Sequence, residues 1–297
     1  MASAEYIVFR DRMAAAPVPP APASIQALRE RIDSAMGALP LAAGTTARDI
    51  DADGVPAILC ERDGANDDVV FIYFHGGGYR IASALAYRSY GTHLASACRV
   101  RVLLVDYRLA PENKFPAAVD DAVASYRWVL AQGTSANRVV IGGDSAGGGL
   151  TAALLLSARD HGLPRPAGGV CLSPWVDLTN TAFTYETRAD TDTMFSKSAA
   201  DQAAGLYLDG HDPTDPLASP VFGDWSGIPP LLIQVGDVEV LLDDAARLAD
   251  AARQAGVDVE HHVYAEMPHV WQLQYPAFPE TVEAVDEIAA FIARVTS

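Results

Sequence analysis

Residues Gly142–Gly149 read GGDSAGGG, one serine set among glycines. An apolar strand pattern, RVVIGG, runs into its start, and an apolar helical pattern, LTAALLLSARD, follows at once. Glycine costs a helix about 1 kcal/mol relative to alanine, so five of them at a helix start need a physical reason. The core, Gly143-Asp144-Ser145-Ala146-Gly147, is a G-x-S-x-G between strand and helix, the setting of a nucleophile elbow. There a strained turn lifts the serine hydroxyl above the sheet, and the positions two before and two after pass too close for side chains. A serine so held can attack an acyl carbon once a base removes its proton. The Ala146 N–H, in the first turn of the helix, points where negative charge would develop on the attacked oxygen. The phosphate-loop alternative fails, because no Lys-Ser/Thr pair follows the glycines.

A second glycine run, His75-Gly76-Gly77-Gly78, closes the apolar strand pattern DVVFIYF. Glycines expose backbone amides with no side chain in the way, which suits an oxyanion hole. An HGGG after a strand and upstream of an elbow matches the arrangement in which the residue after the nucleophile completes that hole. Gly76, Gly77 and Ala146 are therefore the expected donors, with His75 bracing the loop. The general base should be a histidine, because its ordinary pKa lets it take and return a proton near neutrality. His161, His211, His261, His262 and His269 follow Ser145. His161 falls at the far end of the elbow helix, His211 in a long insertion, and His261 and His262 inside a strand. Only His269, in EMPHVWQ after the last strand, reaches the carboxyl end of the sheet, where it could meet Ser145. The orienting acid comes from LLIQVGDVEVLLDDAARL, which offers Asp237, Glu239, Asp243 and Asp244. The last two fall within the following helix, near its positive end, and need no other role.

These residues require a scaffold that brings strand ends together. After residues 1–45, read as one or two helices joined by a Pro/Ala-rich connector over 13–24, strands and helices alternate. Strands are expected at VPAILCE, DVVFIYF, VRVLLVD, RVVIGG, GGVCLSP, PPLLIQVG and VDVEHHVYAE, with amphipathic helices between the later ones and a closing helix at PETVEAVDEIAAFIARV. Continuous apolar strands between helices predict an α/β fold, a mostly parallel central sheet with helices on both faces. One connection is too long for a simple crossover, residues 180–228, and such an insertion above strand ends forms a lid or substrate wall.

The chain has 297 residues, half of them hydrophobic, and a net charge of −17. That charge repels phosphate backbones and anionic lipid, so no nucleic-acid partner is expected. The three cysteines, Cys60, Cys98 and Cys171, lack metal or redox spacing and read as reduced thiols. No apolar run is long enough to cross a membrane and no basic–apolar leader opens the chain, so the expected location is cytoplasmic. EHHVYAEMPH holds three histidines without a metalloprotease or zinc pattern, and neither metal nor cofactor is expected.

The sequence resembles the hormone-sensitive-lipase-like α/β-hydrolases, which include many bacterial carboxylesterases. The resemblance rests on HGGGY (75–79), DYRLAPE (106–112) and GDSAGG (143–148), three motifs in order, and runs from about Val69 to Trp271. It implies an α/β-hydrolase fold with a helical cap made of residues 1–45 and 180–228, over a catalytic domain of 46–179 and 229–297. It also implies that DYRLAPE is structural. In the family the acid precedes a hydrophobic-Leu-x-Asp run; aligning Leu241 and Asp243 with it puts Glu239 on the acid, ahead of Asp237. The expected activity is serine esterase action on short-to-medium acyl esters, with catalytic Ser145, Glu239 and His269. Amide or lactone hydrolysis on the same site is the alternative. A non-catalytic receptor of this fold is disfavoured by the retained His269. The family often pairs, so a homodimer is a further expectation.

Overall fold

The computed structural model describes residues 1–297 except Val18, Ala65 and Asn66. Two helices come first, α1 (Ala4–Ala14) and α2 (Ile25–Met36). Ser24 caps α2 by accepting from Ala27 N at 3.1 Å, and Gly37 ends it. The Pro/Ala-rich stretch between them includes Val18, outside the described residues, and its first residues belong to α1.

Eight strands follow: β1 (Thr45–Asp51), β2 (Pro56–Arg62), β3 (Val70–Phe74), β4 (Arg101–Val105), β5 (Val139–Asp144), β6 (Gly168–Leu172), β7 (Leu231–Gly236) and β8 (Val259–Tyr264). They form one sheet in the order β1-β2-β4-β3-β5-β6-β7-β8. β1 and β2 pair antiparallel, as do β2 and β4, and every later pairing is parallel. The remaining helices are α3 (Arg88–Cys98), α4 (Ala117–Ala131), α5 (Ala146–Asp160), α6 (Thr184–Thr187), α7 (Lys197–Leu208), α8 (Leu242–Gln254) and α9 (Pro279–Val295). The sequence reading named neither β1 nor α3.

Strand side chains alternate between faces. Phe71 and Tyr73 pack with Leu94 of α3 and with Ile288 and Phe291 of α9. Ile72 and Phe74 pack on the other face, with Tyr126 of α4, Leu154 of α5 and Leu248 of α8. Every residue of β3, β5, β6 and β7 is buried, as expected for strands covered on both sides. The parallel register aligns Phe74 with Gly143, Asp144 with Leu172, and Gly236 with Tyr264. The loops after β3, β5, β7 and β8 therefore open on one edge. No helix among the described residues is long and apolar enough to cross a membrane.

Candidate active site

β5 ends at Asp144 and α5 begins at Ala146, so Ser145 alone makes the turn between them. Its backbone stands at φ 54° and ψ −120°, a region that non-glycine residues occupy only when surrounding structure holds them there. Ser145 N donates to Leu172 O at 2.8 Å, and Ser145 O accepts from Trp175 N at 3.0 Å and Gly149 N at 3.1 Å. The flanking glycines are a steric requirement. A Cβ on Gly143 or on Gly147 would overlap the Phe74 carbonyl oxygen at the end of β3.

The loop beyond β8 brings His269 Nε2 to 2.9 Å from Ser145 Oγ. His269 Nδ1 lies 2.7 Å from Glu239 Oε2. A carboxylate on Nδ1 keeps the proton there and leaves the Nε2 lone pair facing the hydroxyl. Ser145 and His269 are each 6% exposed, and Glu239 is fully buried. The second Glu239 oxygen, Oε1, accepts from Gly236 N at 2.6 Å and from Ser173 Oγ at 2.7 Å. Ser173 Oγ also accepts from Val270 N at 3.2 Å, tying the acid's loop to the histidine's. Burial alone would lower the His269 pKa. The hydrogen bond and charge of Glu239, with the charges of Asp192 and Asp144, outweigh it and hold the pKa above its ordinary value.

Asp237, the competing acid, turns elsewhere: its Oδ1 accepts from Glu266 N at 2.7 Å and closes the turn after β8. Asp244 does more than favour a helix end. It is buried and accepts from the amides of Val176 and Asp177, each at 3.1 Å, so it anchors the chain that leaves β6. Three of the other histidines have separate partners. His161 bonds within the last turn of α5, His211 meets Asp215 at 2.8 Å, and His262 meets Glu287 at 2.6 Å.

One expected oxyanion donor needs correction. Gly76 N already donates to Tyr87 Oη at 3.1 Å, and an amide has a single hydrogen to give. Among the described residues, no acceptor engages the amides of Gly77, Gly78 or Ala146. The Gly78 amide, which the sequence reading did not name, is thus free beside those of Gly77 and Ala146, and only the neighbouring phenol reveals it. His75 braces this loop as expected. Its Nδ1 donates to Gly76 O at 2.7 Å, its ring stacks on Tyr107 at 4.3 Å, and burial lowers its pKa. Tyr107 lies in the DYRLAPE segment, and its hydroxyl donates to His75 O at 2.7 Å.

The family model described as the alpha/beta hydrolase fold matches residues 71–273. The chain belongs to the α/β-hydrolase family. An acetyl-hydrolase of Streptomyces hygroscopicus is 44% identical over 235 residues, covering 79% of each chain. A crystal structure of an esterase from the bacterial hormone-sensitive lipase family matches with a TM-score of 0.91 and 43% identity over 100% of both chains. EstE5, in crystals soaked with p-nitrophenyl butyrate, matches with a TM-score of 0.93 and 38% identity over 99% of each chain. These likenesses put the chain in the hormone-sensitive-lipase branch of the α/β-hydrolases.

In this hydrolase, segments outside the sheet also reach the site. The Phe195 ring lies nearly parallel to the His269 imidazole, 5.6 Å between centroids and 16° between planes. Asp192 seats it: Oδ1 accepts from Met194 N and Phe195 N, each at 2.9 Å, and Oδ2 accepts from Val240 N at 2.9 Å, next to Glu239. On α7, Tyr207 stacks on Tyr79 at 4.0 Å, directly after the HGGG run. Arg29 on α2 donates to Arg80 O at 2.8 Å and Ala110 O at 2.7 Å, and pairs with Glu112 at 2.9 Å. Tyr185, Tyr207 and Leu208 of the insertion are buried, whereas Phe183 and Met194 are exposed. No local motif marks Arg29, Tyr87 or Asp192 in the sequence.

Proposed function

We propose that this α/β-hydrolase is a serine carboxylesterase acting on short-to-medium acyl esters through an acyl-enzyme. The observation that carries the reading is the buried line from Ser145 Oγ to His269 Nε2 at 2.9 Å, and from His269 Nδ1 to Glu239 at 2.7 Å. Ser145 attacks the ester carbonyl while His269 takes its proton, and Glu239 stabilises the imidazolium that forms. The oxyanion of the tetrahedral intermediate is met by the amides of Gly77, Gly78 and Ala146. Collapse expels the alcohol, which leaves with the proton from His269. Water then gives its proton to the same imidazole, attacks the acyl carbon, and the carboxylic acid departs as Ser145 regains its hydrogen.

Residues 1–45 and 180–228 act as the cap over a catalytic domain of 46–179 and 229–297. Phe195 over His269, Tyr207 on Tyr79, and the Arg29 bonds to the loops beside the site support that division. The apolar side chains of the insertion suit an acyl chain of modest length. The names of the relatives, an acetyl-hydrolase and esterases, point to the same substrate class.

The test is a series of p-nitrophenyl esters from two to sixteen acyl carbons, with wild type and Ser145→Ala. We expect turnover on the shorter esters and its loss in Ser145→Ala. Activity confined to chains above twelve carbons would overturn the acyl assignment. Faster cleavage of the matching anilides or lactones would reassign the substrate, and full activity in Ser145→Ala would remove the serine mechanism.

A further inference from the structure

Asp144, the residue before the nucleophile, is buried together with its carboxylate. Its Oδ1 accepts from Tyr73 Oη at 2.9 Å, and its Oδ2 from Tyr87 Oη at 2.8 Å. Tyr87 Oη in turn accepts from Gly76 N at 3.1 Å. The contact is close enough that a Cβ on Gly76 would overlap the Asp144 carboxylate. A continuous bonded chain thus runs from the carboxylate beside Ser145, through one phenol, to the first glycine of the oxyanion loop. Its members come from the end of β5, the head of α3 and the loop after β3. Burying a carboxylate is costly unless it is well bonded, and no cationic side chain hydrogen-bonds this one among the described residues.

We propose that Asp144 is a positioning residue for ester hydrolysis: through Tyr87 it sets the HGGG loop against the serine, and its charge faces the imidazolium of His269. The inference rests on the serine-esterase reading above. With the Gly76 amide held, the next two amides keep a fixed place relative to Ser145 Oγ. Positioning errors of about 1 Å in such sites cost about 100-fold in rate.

Protonation on Oδ2 undoes the link. Burial pushes the Asp144 carboxyl up to about 6, opposed by the hydrogen bonds from Tyr87 and Tyr73, the positive charge of His269 and the Gly76 amide. Tyr73 faces it from β3, Tyr87 and Tyr90 from the start of α3, Tyr107 from the loop after β4, and His269 from the loop after β8. A protonated carboxyl carries a donor on one oxygen. If that oxygen is Oδ2, it confronts a phenol that is already donating. Tyr87 must then turn its hydrogen away, and the acceptor geometry for Gly76 N is lost.

The test measures kcat and KM for p-nitrophenyl butyrate from pH 5 to 9 in wild type, Asp144→Asn, Tyr87→Phe and Tyr73→Phe. Thermal unfolding checks that each variant is folded, and one-to-one labelling by diethyl p-nitrophenyl phosphate reports an intact serine. We expect Tyr87→Phe to lose about 10- to 100-fold in kcat with KM changed by less than about 3-fold, since a displaced hole acts on the transition state. Tyr73→Phe, which leaves the Gly76 bond in place, should lose less. Asp144→Asn keeps the size and removes the charge, but sets an amide NH2 against one of the two donating phenols; with the charge gone, the acid limb of kcat/KM should move to lower pH as the imidazolium loses support. A purely structural role would leave that limb where it is. A folded Asp144→Asn with an unmoved limb, or a folded Tyr87→Phe whose loss lies in KM alone, overturns the proposal while labelling of wild type keeps the esterase reading intact. Wild type that resists labelling, with Ser145→Ala still active, overturns both.

Discussion

Replacing Glu239 by alanine removes a carboxylate that meets three groups at once: His269 Nδ1 at 2.7 Å, Gly236 N at 2.6 Å and Ser173 Oγ at 2.7 Å. The catalytic loss follows from the first contact. At the 2.7 Å separation and an effective dielectric near 20, the attraction between imidazolium and carboxylate is about 6 kcal/mol. Part of it offsets the cost of holding both groups away from water. A net loss of about 4 to 5.5 kcal/mol in the transition state corresponds to about 10³- to 10⁴-fold in kcat, at 1.36 kcal/mol per tenfold. Residual turnover should remain, because the oxyanion donors and the bound geometry survive. Asp237→Ala, which loses only the turn contact to Glu266 N, should stay within about threefold of wild type. The assay is kcat/KM on p-nitrophenyl butyrate at a pH where His269 is neutral, with unfolding curves showing that both variants are native. The reasoning is refuted if a folded Glu239→Ala keeps most of its activity, or if Asp237→Ala loses more than Glu239→Ala does.

Four other outcomes can be checked. Because His269 is held above its ordinary pKa of about 6.5 and must be neutral to accept the serine proton, kcat/KM should fall on the acid side with an apparent pKa above that value; a limb at or below it contradicts the assignment. The same shift makes the imidazolium a stabilising group, fully so below the unfolded pKa and lost as pH rises through the folded one, which unfolding midpoints of wild type and His269→Gln across that range would register. Gly147→Ala drives a methyl group into the Phe74 carbonyl oxygen and should destabilise the fold by about 1 to 3 kcal/mol or more; a variant with the wild-type melting temperature would show that the elbow has room to relax. Phe195→Ala strips the ring stacked at 5.6 Å on the imidazole, and we expect about tenfold lower kcat, read against Met194→Ala, whose exposed side chain should change it little.

The parallel core was legible because its strands are short, wholly apolar and separated by helix-length amphipathic runs. β3, β5, β6 and β7 fall where the sequence places them. β1 was not, and its composition shows why: TTARDID is a half-exposed edge strand with polar residues on both faces, so no apolar alternation marks it. α3, RSYGTHLASAC, carries a glycine and small residues because it packs closely on the sheet, where a Cβ on Gly91 would press on Leu104. The candidate serine and histidine could be read from glycine spacing and position after strands, which are local signals. The acid needed the family's pattern, because two carboxylates follow β7 within three residues and differ only in which way the turn aims them. Gly76 misled for the converse reason. Its fitness as a donor depends on a phenol from another element, and nothing in HGGG announces that partner.

The hydroxyl and the imidazole are 124 positions apart along the chain, and the imidazole follows β8, whose only strand neighbour among the described residues is β7. During synthesis the elbow and the glycine loop emerge long before His269 does. A nascent polypeptide halted after β7 would hold an uncharged, unreactive alcohol. On the proposed serine mechanism, ester cleavage switches on late, once the terminal strand has docked, and its first appearance in a translation reaction would time the completion of the sheet.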